Sequence, residues 1–240
     1  MSSQADTNGS VSRGAGSGSG PAGSPLQVSD LSGHPTTILK DEGDGTARVV
    51  RCELPQGPVV LKEWRPRGLL LGVWARWIMR REIRHSQRLS GLPGIPRYLG
   101  HDGDRALIVE CVDGSHLRRR LQPALLRKGL DSLQETLHAL HARRFLHLDL
   151  HQKRNTIIDA EGRAWLVDLG QGVDCSRGFA RLLFPLLAPI DQRAVLKFRA
   201  RYAPDTLDPG RRDELVARFS VRRRWWPKLI GRRLRRLLSD

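Results

Sequence analysis

The sequence predicts an α+β fold, because strand-type and helix-type hydrophobic patterns both occur along the chain. Residues 59–62 and 105–114 are short apolar runs with β-branched residues, which is typical of buried strands. Residues 129–144 instead carry four leucines at helical spacing. The two patterns together indicate strands and helices packed around a shared core.

The first half of the chain predicts a helix between two strands. The first strand ends at Lys62, and residues 80–89 have apolar side chains at helical spacing. Residues 91–100 are punctuated by Gly and Pro, which favours a connection rather than a helix or strand. We therefore expect the chain to return from this helix to a strand at residues 105–114.

A short hairpin is predicted in the second half of the chain. Residues 155–158 and 164–167 predict two strands, and the sequence DAEG between them predicts the turn. Such a hairpin would bring its flanking residues, Asn155 and Asp168, near each other. The sequence therefore predicts a polar pair at the open end of the hairpin.

The residues around this hairpin have the chemistry that phosphoryl transfer from ATP requires. The segment at residues 147–155 reads HLDLHQKRN, and residues 166–170 read LVDLG. Asp149 could orient or deprotonate an attacking hydroxyl, whereas Asn155 and Asp168 carry hard oxygen ligands suited to Mg²⁺. An isolated Asp in such a segment more often caps a turn, so the whole set carries the prediction.

This set resembles the catalytic core of the protein-kinase-like superfamily, with HLDL in the place of H-R-D-L and DLG in the place of D-F-G. The resemblance implies a two-lobed protein-kinase-like fold with a compact C-lobe, and it implies ATP and Mg²⁺ as cofactors. It makes Asp149 catalytic, Asn155 and Asp168 metal ligands, and His147 a partner of the backbone near Asp168. Five residues, 150–154, separate Asp149 from Asn155 where the family pattern has four, so one residue must bulge.

The resemblance also implies an ion pair between Lys62 and Glu82. The sequence VVLK ends in Lys62 like the V-A-I-K strand of the family, and Glu82 lies early in the predicted helix about twenty residues later. In that family such a lysine contacts the ATP phosphates and the glutamate orients it, so both are counted as catalytic. The plain alternative is an exposed Glu82 among arginines.

Further ATP contacts are positional inferences from the resemblance. Gly43 and Gly45 lie in a candidate hairpin over the phosphates, although the three neighbouring acidic residues favour a plain turn equally well. Glu110 to Val112 correspond to the hinge behind the adenine, where backbone groups would bind the base.

The resemblance covers roughly residues 36–175 and is strongest to small bacterial members, the lipopolysaccharide-core (Kdo) kinases and the RIO-like kinases. No A-P-E sequence follows Asp168, and the apolar run at 179–190 predicts a helix kinked or ended at Pro185 and Pro189. The short space before this run argues for a non-protein substrate.

The acceptor remains open between two alcohols. A sugar hydroxyl of an envelope glycolipid suits the short C-terminal part, and a protein Ser or Thr suits the RIO-like features. A non-catalytic scaffold that binds membrane or a protein partner is the alternative of a different class, motivated by the inserted residue before Asn155. An aminoglycoside-type or choline-type kinase is disfavoured, because the arginine-rich C-terminal third suits cationic substrates poorly.

Four segments are expected. Residues 1–33 are rich in Ser and Gly and predict a disordered tail. Residues 34–112 would form the N-lobe and residues 113–220 the C-lobe. Residues 221–240 form a basic tail with leucines at helical spacing.

The charge balance indicates anionic partners. The formal net charge is +16, and the tail combines two tryptophans with many arginines, which is typical of a helix at an anionic membrane surface. Nucleic acid is a less favoured partner for the same residues, and a solvated helix that packs its leucines on the C-lobe is the third interpretation.

The predicted location is the cytoplasm, with a peripheral position on the inner face of the cytoplasmic membrane as an extension. The three cysteines show neither zinc-type nor disulfide-type spacing, which favours a reducing compartment. No apolar stretch reaches the ~20 residues that a membrane-spanning helix needs.

Overall fold

The computed structural model describes residues 24–41, 47–64, 69–117, 121–208 and 210. Within these residues the chain is an α+β protein with antiparallel strand pairs and three α-helices, so the predicted fold class is confirmed. Gly43 and Gly45, residues 1–23 and the basic tail at 221–240 lie outside the described residues.

A five-stranded antiparallel sheet forms the first part of the described chain. Its strands lie in the order β1-β2-β3-β5-β4. Alternate side chains of β2 and β3, including Cys52 and Leu61, are buried on one face against Ile108, so the other face is free to carry polar residues. The strands are β1 Thr36–Lys40, β2 Arg48–Leu54, β3 Gly57–Glu63, β4 Tyr98–Asp102 and β5 Ala106–Glu110.

Helix α1, Leu69–Leu89, joins β3 to β4 and packs beside the sheet. Ile78 and Met79 are buried, whereas Trp74 and Trp77 of the same stretch are about half exposed. Helix α1 therefore packs on the protein with one face and leaves these two tryptophans half exposed on another.

The second part of the described chain is mainly helical. Helix α2, Pro123–Ala142, buries its leucines at helical spacing against helix α3, Ala180–Tyr202. Helix α3 continues through Pro185 and Pro189, so neither proline ends it, and a kink at these positions stays a prediction. Each proline removes one hydrogen bond to the carbonyl four residues earlier, and the burial of α3 against α2 offsets that loss.

Short strands complete the fold and confirm the predicted hairpin. They are β6 Ser115–His116, β7 Phe145–Leu146, β8 Thr156–Ile158, β9 Ala164–Leu166 and β10 Val173–Asp174. Strand β8 pairs with β6 and β9, and β7 pairs with β10. The Asp159 carboxylate accepts the backbone N–H of Arg163 at 2.8 Å, and Gly162 adopts a φ of 82° in the turn.

The predicted disordered tail is too long at its C-terminal end. Residues 28–31 form a 3₁₀ turn, Leu31 is buried, and the N–H of Leu26 donates to the carbonyl of Leu99 at 2.8 Å. Leu26, Val28 and Leu31 supply apolar surface that the preceding Ser/Gly-rich sequence lacks, which stabilises this segment on the sheet.

No helix in the described ranges is long and apolar enough to cross a membrane.

Candidate active site

Lys62 lies at the centre of a three-residue charge cluster. Its Nζ is 2.7 Å from both carboxylate oxygens of Glu82 and 3.1 Å from Oδ1 of Asp168. Strand alternation directs Leu61 into the sheet core and Lys62 toward the opposite face, where α1 presents Glu82. The ion pair expected between Lys62 and Glu82 is therefore present.

The neighbouring carboxylates keep Lys62 protonated despite its burial. Burial disfavours the ammonium form, but the carboxylates of Glu82 and Asp168 outweigh it, and the pKa of Lys62 is raised. Burial raises the pKa of Glu82, while Lys62 opposes that effect. Lys62 is the main cause of a lowered pKa at Asp168, against burial. Asp168 is thus a carboxylate at neutral pH and able to bind a cation.

Two consecutive turns accommodate the inserted residue of the predicted catalytic segment, residues 147–155. The N–H of Gln152 donates to the carbonyl of Asp149 at 3.2 Å, and the N–H of Asn155 donates to the carbonyl of Gln152 at 3.0 Å. Residues 153–155 form a 3₁₀ turn. This path returns Asn155 to Asp149 despite the longer spacing.

Asp149 and Asn155 are hydrogen-bonded to each other and almost fully buried. The amide nitrogen of Asn155 donates to the Asp149 carboxylate at 2.9 Å and to its backbone carbonyl at 3.0 Å. The Gln152 amide also donates to that carboxylate oxygen. The second oxygen, Oδ1, lies 3.4 Å from Nδ1 of the exposed His151. The Asp149 carboxylate is thus held in one orientation.

The hairpin connects the residue before Asp168 to this pair through the backbone. The N–H of Val167 donates to the backbone carbonyl of Asn155 at 3.0 Å. His147 Nε2 lies 3.3 Å from the carbonyl of Val167, so the expected contact of His147 with the backbone near Asp168 is confirmed. Asp149, Asn155, Asp168 and Lys62 therefore belong to one connected cluster.

Two residues of the cluster have unusual backbone angles. Leu148 has a φ of 60° and Asp168 a φ of 64°, a region that non-glycine residues rarely adopt. Such strain is concentrated at functional sites, where the surrounding structure maintains it. Leu148 precedes Asp149 in the chain, and Asp168 is itself a predicted metal ligand, so both unusual backbone angles fall within the predicted site.

Asp191 of α3 holds the strained segment and was missed by the sequence analysis. Its side chain is fully buried and accepts the backbone N–H groups of His147 and Leu148, each at 2.8 Å. His141 lies 3.4 Å from the same carboxylate. The available signal was a single acidic residue inside a long apolar helical run, which costs free energy unless it is hydrogen-bonded.

Helix α1 also contacts the 3₁₀ turn that follows Asp168, at residues 169–171. His85, another residue that the sequence analysis missed, lies with Nδ1 2.9 Å from the carbonyl of Leu169. Arg81 donates to the carbonyl of Gly172 at 2.6 Å. A Cβ on Gly170 would lie 3.3 Å from a Glu82 carboxylate oxygen, so glycine permits this close approach.

The proposed hinge follows the end of β5. The N–H of Glu110 donates to the backbone carbonyl of Arg97, and the N–H of Cys111 donates to that of Pro58. Both N–H groups are therefore already hydrogen-bonded within the protein. Val112 lies beyond the strand. An adenine contact by Glu110 or Val112 stays a prediction, as does a phosphate contact by Gly43 and Gly45.

The residues proposed to bind Mg²⁺ have suitable chemistry. Asp168 supplies a carboxylate whose side chain is 42% exposed. Because the amide nitrogen of Asn155 is used on Asp149, its amide oxygen is the atom left to bind a cation. Within the described ranges no group of three or more His, Cys, Asp or Glu side chains could hold a metal.

Comparison with known proteins identifies no relative from which the role of these residues could be inferred. No protein-family model matches the chain, and no curated protein matches it. The geometry of the cluster around Lys62 is therefore the basis for a functional assignment.

Proposed function

We propose that this protein is an ATP- and Mg²⁺-dependent phosphotransferase with an alcohol as acceptor, built on a two-lobed protein-kinase-like fold with a compact C-lobe. One observation carries the proposal: Lys62 Nζ lies between Glu82 and Asp168, at 2.7 Å and 3.1 Å. A buried ammonium with two carboxylates, connected through the hairpin to the Asp149–Asn155 pair, suits a site that binds and neutralises phosphate groups.

Lys62 and Glu82 would act on the nucleotide. Lys62 would contact the ATP phosphates with its ammonium group. Glu82 would orient that group through the buried ion pair between them. Because Glu82 is only 4% exposed at its side chain, water competes little for the ammonium. The pair is therefore pre-arranged for an anionic ligand.

Asn155 and Asp168 would hold the Mg²⁺, which would neutralise phosphate charge when bound. Both are oxygen donors, and both are positioned by the hairpin between them. Lys62 keeps Asp168 ionised, so no proton has to be lost before a cation binds. The donor set therefore fits the metal that the proposed reaction requires.

Asp149 would orient the acceptor hydroxyl and accept its proton. Asn155 and Gln152 donate to one carboxylate oxygen and fix the orientation of the group. The other oxygen faces His151, whose side chain is 63% exposed, and this is the side from which an acceptor could approach. A positioned carboxylate of this kind is a general base that needs only hydrogen-bond reach to the hydroxyl.

The acceptor is either a sugar hydroxyl of an envelope glycolipid or a protein Ser or Thr. The connection from the 3₁₀ turn at 169–171 to α3 consists of residues 172–179. So short a connection favours a compact acceptor over an extended peptide. A cytoplasmic protein that docks on the inner face of the membrane would meet such a glycolipid.

Transfer of labelled γ-phosphate from ATP and Mg²⁺ into fractionated cell extract tests the proposal, with wild type beside Asp149→Asn. Label in the glycolipid fraction with wild type alone supports the enzyme and the envelope acceptor. Label in protein alone moves the acceptor to Ser or Thr. Label that is equal in both variants, or absent from both, contradicts the proposal.

A non-catalytic scaffold is the second candidate, and one observation favours it. The Asp149 carboxylate already accepts hydrogen bonds from Gln152 and Asn155 inside a segment one residue longer than the family pattern. A scaffold would keep this arrangement for stability. It predicts that ATP binds without turnover, and that Asp149→Asn leaves partner or membrane binding unchanged.

A further inference from the structure

Helix α3 has an exposed apolar face in addition to the face that packs on α2. Val195 and Phe198 are fully buried in the core, together with Asp191. On the other side, four large apolar side chains are exposed by 43–74%: Phe179, Leu182, Leu186 and Ile190. These four follow each other at steps of three and four residues, so they form one continuous ridge.

The same face continues as a row of cations. Arg193, Lys197 and Arg201 follow Ile190 at steps of three, four and four residues. The outer stripe of α3 therefore has an apolar first half and a cationic second half. It consists of Phe179, Leu182, Leu186, Ile190, Arg193, Lys197 and Arg201.

The exposed charged residues between Cys175 and Tyr202 are all basic. Arg177 and Arg181 lie at its apolar end, and both are exposed. Between Cys175 and Tyr202 the only acidic residue is Asp191, which is buried and bonded to backbone N–H groups. Cations thus flank the apolar ridge at both ends, and no exposed acid of this helix offsets them.

We propose that the outer stripe of α3 is a docking surface for an anionic lipid bilayer. An apolar ridge would enter the boundary between headgroups and acyl chains, while the flanking arginines and lysine would contact lipid phosphates. Side chains that are two-thirds exposed or more, such as Leu182 and Leu186, protrude from the helix, which suits insertion into a fluid layer. Positive charge at both ends of the apolar ridge suits the uniformly negative surface of an anionic bilayer.

The docking surface and the candidate active site share one helix. Ile190 of the outer stripe adjoins Asp191, which holds the backbone of His147 and Leu148. In a protein docked through the stripe, the helix at the membrane would also hydrogen-bond the backbone of His147 and Leu148 through Asp191. The inference does not depend on phosphotransfer, since a scaffold with the same helix would dock equally.

Flotation of the full chain with vesicles tests the docking surface. The vesicles are phosphatidylcholine alone or phosphatidylcholine with phosphatidylglycerol. We expect binding to the anionic vesicles and little binding to the neutral ones. The variant L182Q/L186Q should weaken anionic-vesicle binding at least about tenfold, because two leucines that would enter the bilayer are replaced by polar side chains.

Two further variants control the experiment. The pair I38Q/L39Q changes two apolar side chains of β1 that are each 54% exposed, and it should bind like wild type. The pair R193Q/K197Q should weaken binding about fivefold for each cation removed and reduce its salt dependence. Circular dichroism and thermal unfolding should be the same for all variants, because the altered side chains lie largely outside the core.

Several results would overturn the inference. Equal binding of L182Q/L186Q and wild type would assign lipid binding to another part of the chain, such as residues 221–240. Equal binding of wild type to neutral and anionic vesicles, or to neither, would remove the lipid surface as the occupant. A dimer that is lost in L182Q/L186Q would assign the stripe to a second copy. If L182Q/L186Q fails to fold, unchanged binding of R193Q/K197Q would still contradict the inference.

Discussion

The imidazole Nδ1 of His85 lies 2.9 Å from the backbone carbonyl oxygen of Leu169. These residues are far apart in sequence, and their contact connects the helix that carries Glu82 to the turn that begins just after Asp168. His85 is buried and also packs edge-on against Phe145 at a centroid distance of 4.9 Å. A neutral imidazole that donates from Nδ1 satisfies this carbonyl without a buried charge.

The first prediction concerns pH and His85. Burial lowers the pKa of His85 to about 4, and Arg81, Arg84 and Arg88 add to the effect. The unfolded chain, with a pKa near 6.5, therefore binds a proton before the folded chain does. The free energy of unfolding therefore keeps its full value above pH ~6.5. It falls by up to ~3 kcal/mol as the pH decreases toward about 4.

Urea denaturation at several pH values between 7.5 and 4 measures this effect. His85→Gln retains a donor for Leu169 but does not titrate, so its free energy of unfolding should fall less than that of wild type over this range. Parallel pH curves for the two proteins would show that His85 titrates normally in the folded state.

The second prediction separates stability from chemistry at the buried ion pair. Lys62→Met leaves the Glu82 carboxyl without its cation, so we expect a loss of ~3 kcal/mol in unfolding free energy and loss of phosphotransfer. The double variant Lys62→Met/Glu82→Met replaces the pair with apolar side chains and should recover most of the stability but none of the activity. Recovery of both would exclude a chemical role for Lys62.

The third prediction concerns Mg²⁺. Asp168→Asn keeps the size of the side chain and tolerates the positive φ, but removes the anionic ligand. Calorimetry with a non-hydrolysable ATP analogue should show at least about tenfold weaker binding in Mg²⁺ and no response to the metal. The control Asp131→Asn changes a carboxylate that is 64% exposed on α2. Unchanged affinity in Asp168→Asn would argue against the metal site.

The fourth prediction concerns the support of the catalytic segment. Asp191→Ala leaves the N–H groups of His147 and Leu148 without their acceptor, at a cost of ~1–3 kcal/mol for each buried group. Hydrogen exchange at these two amides should accelerate, and phosphotransfer should fall. Gln192→Ala, an exposed change on the same helix, should alter neither. Protected amides in Asp191→Ala would mean that other contacts maintain the segment.

The local elements were predictable from the order of residues alone. The turn sequence DAEG with its short flanking strands predicted the hairpin that joins Asn155 to Asp168, and the leucine spacing predicted α2. These patterns are readable because alternation and helical periodicity depend only on neighbours along the chain. The resemblance in HLDL, DLG and VVLK selected the residues that the structure brings into one cluster around Lys62.

How these elements meet depends on contacts between residues far apart in the chain. Asp191 and His85 support the site by hydrogen-bonding backbone groups 43 to 84 residues distant in sequence. Because every residue carries such backbone groups, the sequence does not indicate which of them a side chain will contact. The apolar sequence around Leu186 likewise showed that α3 has apolar residues, but not which of them remain exposed. Packing chooses one helix face for the core, and that choice depends on the shape of α2 and β7 rather than on α3 alone.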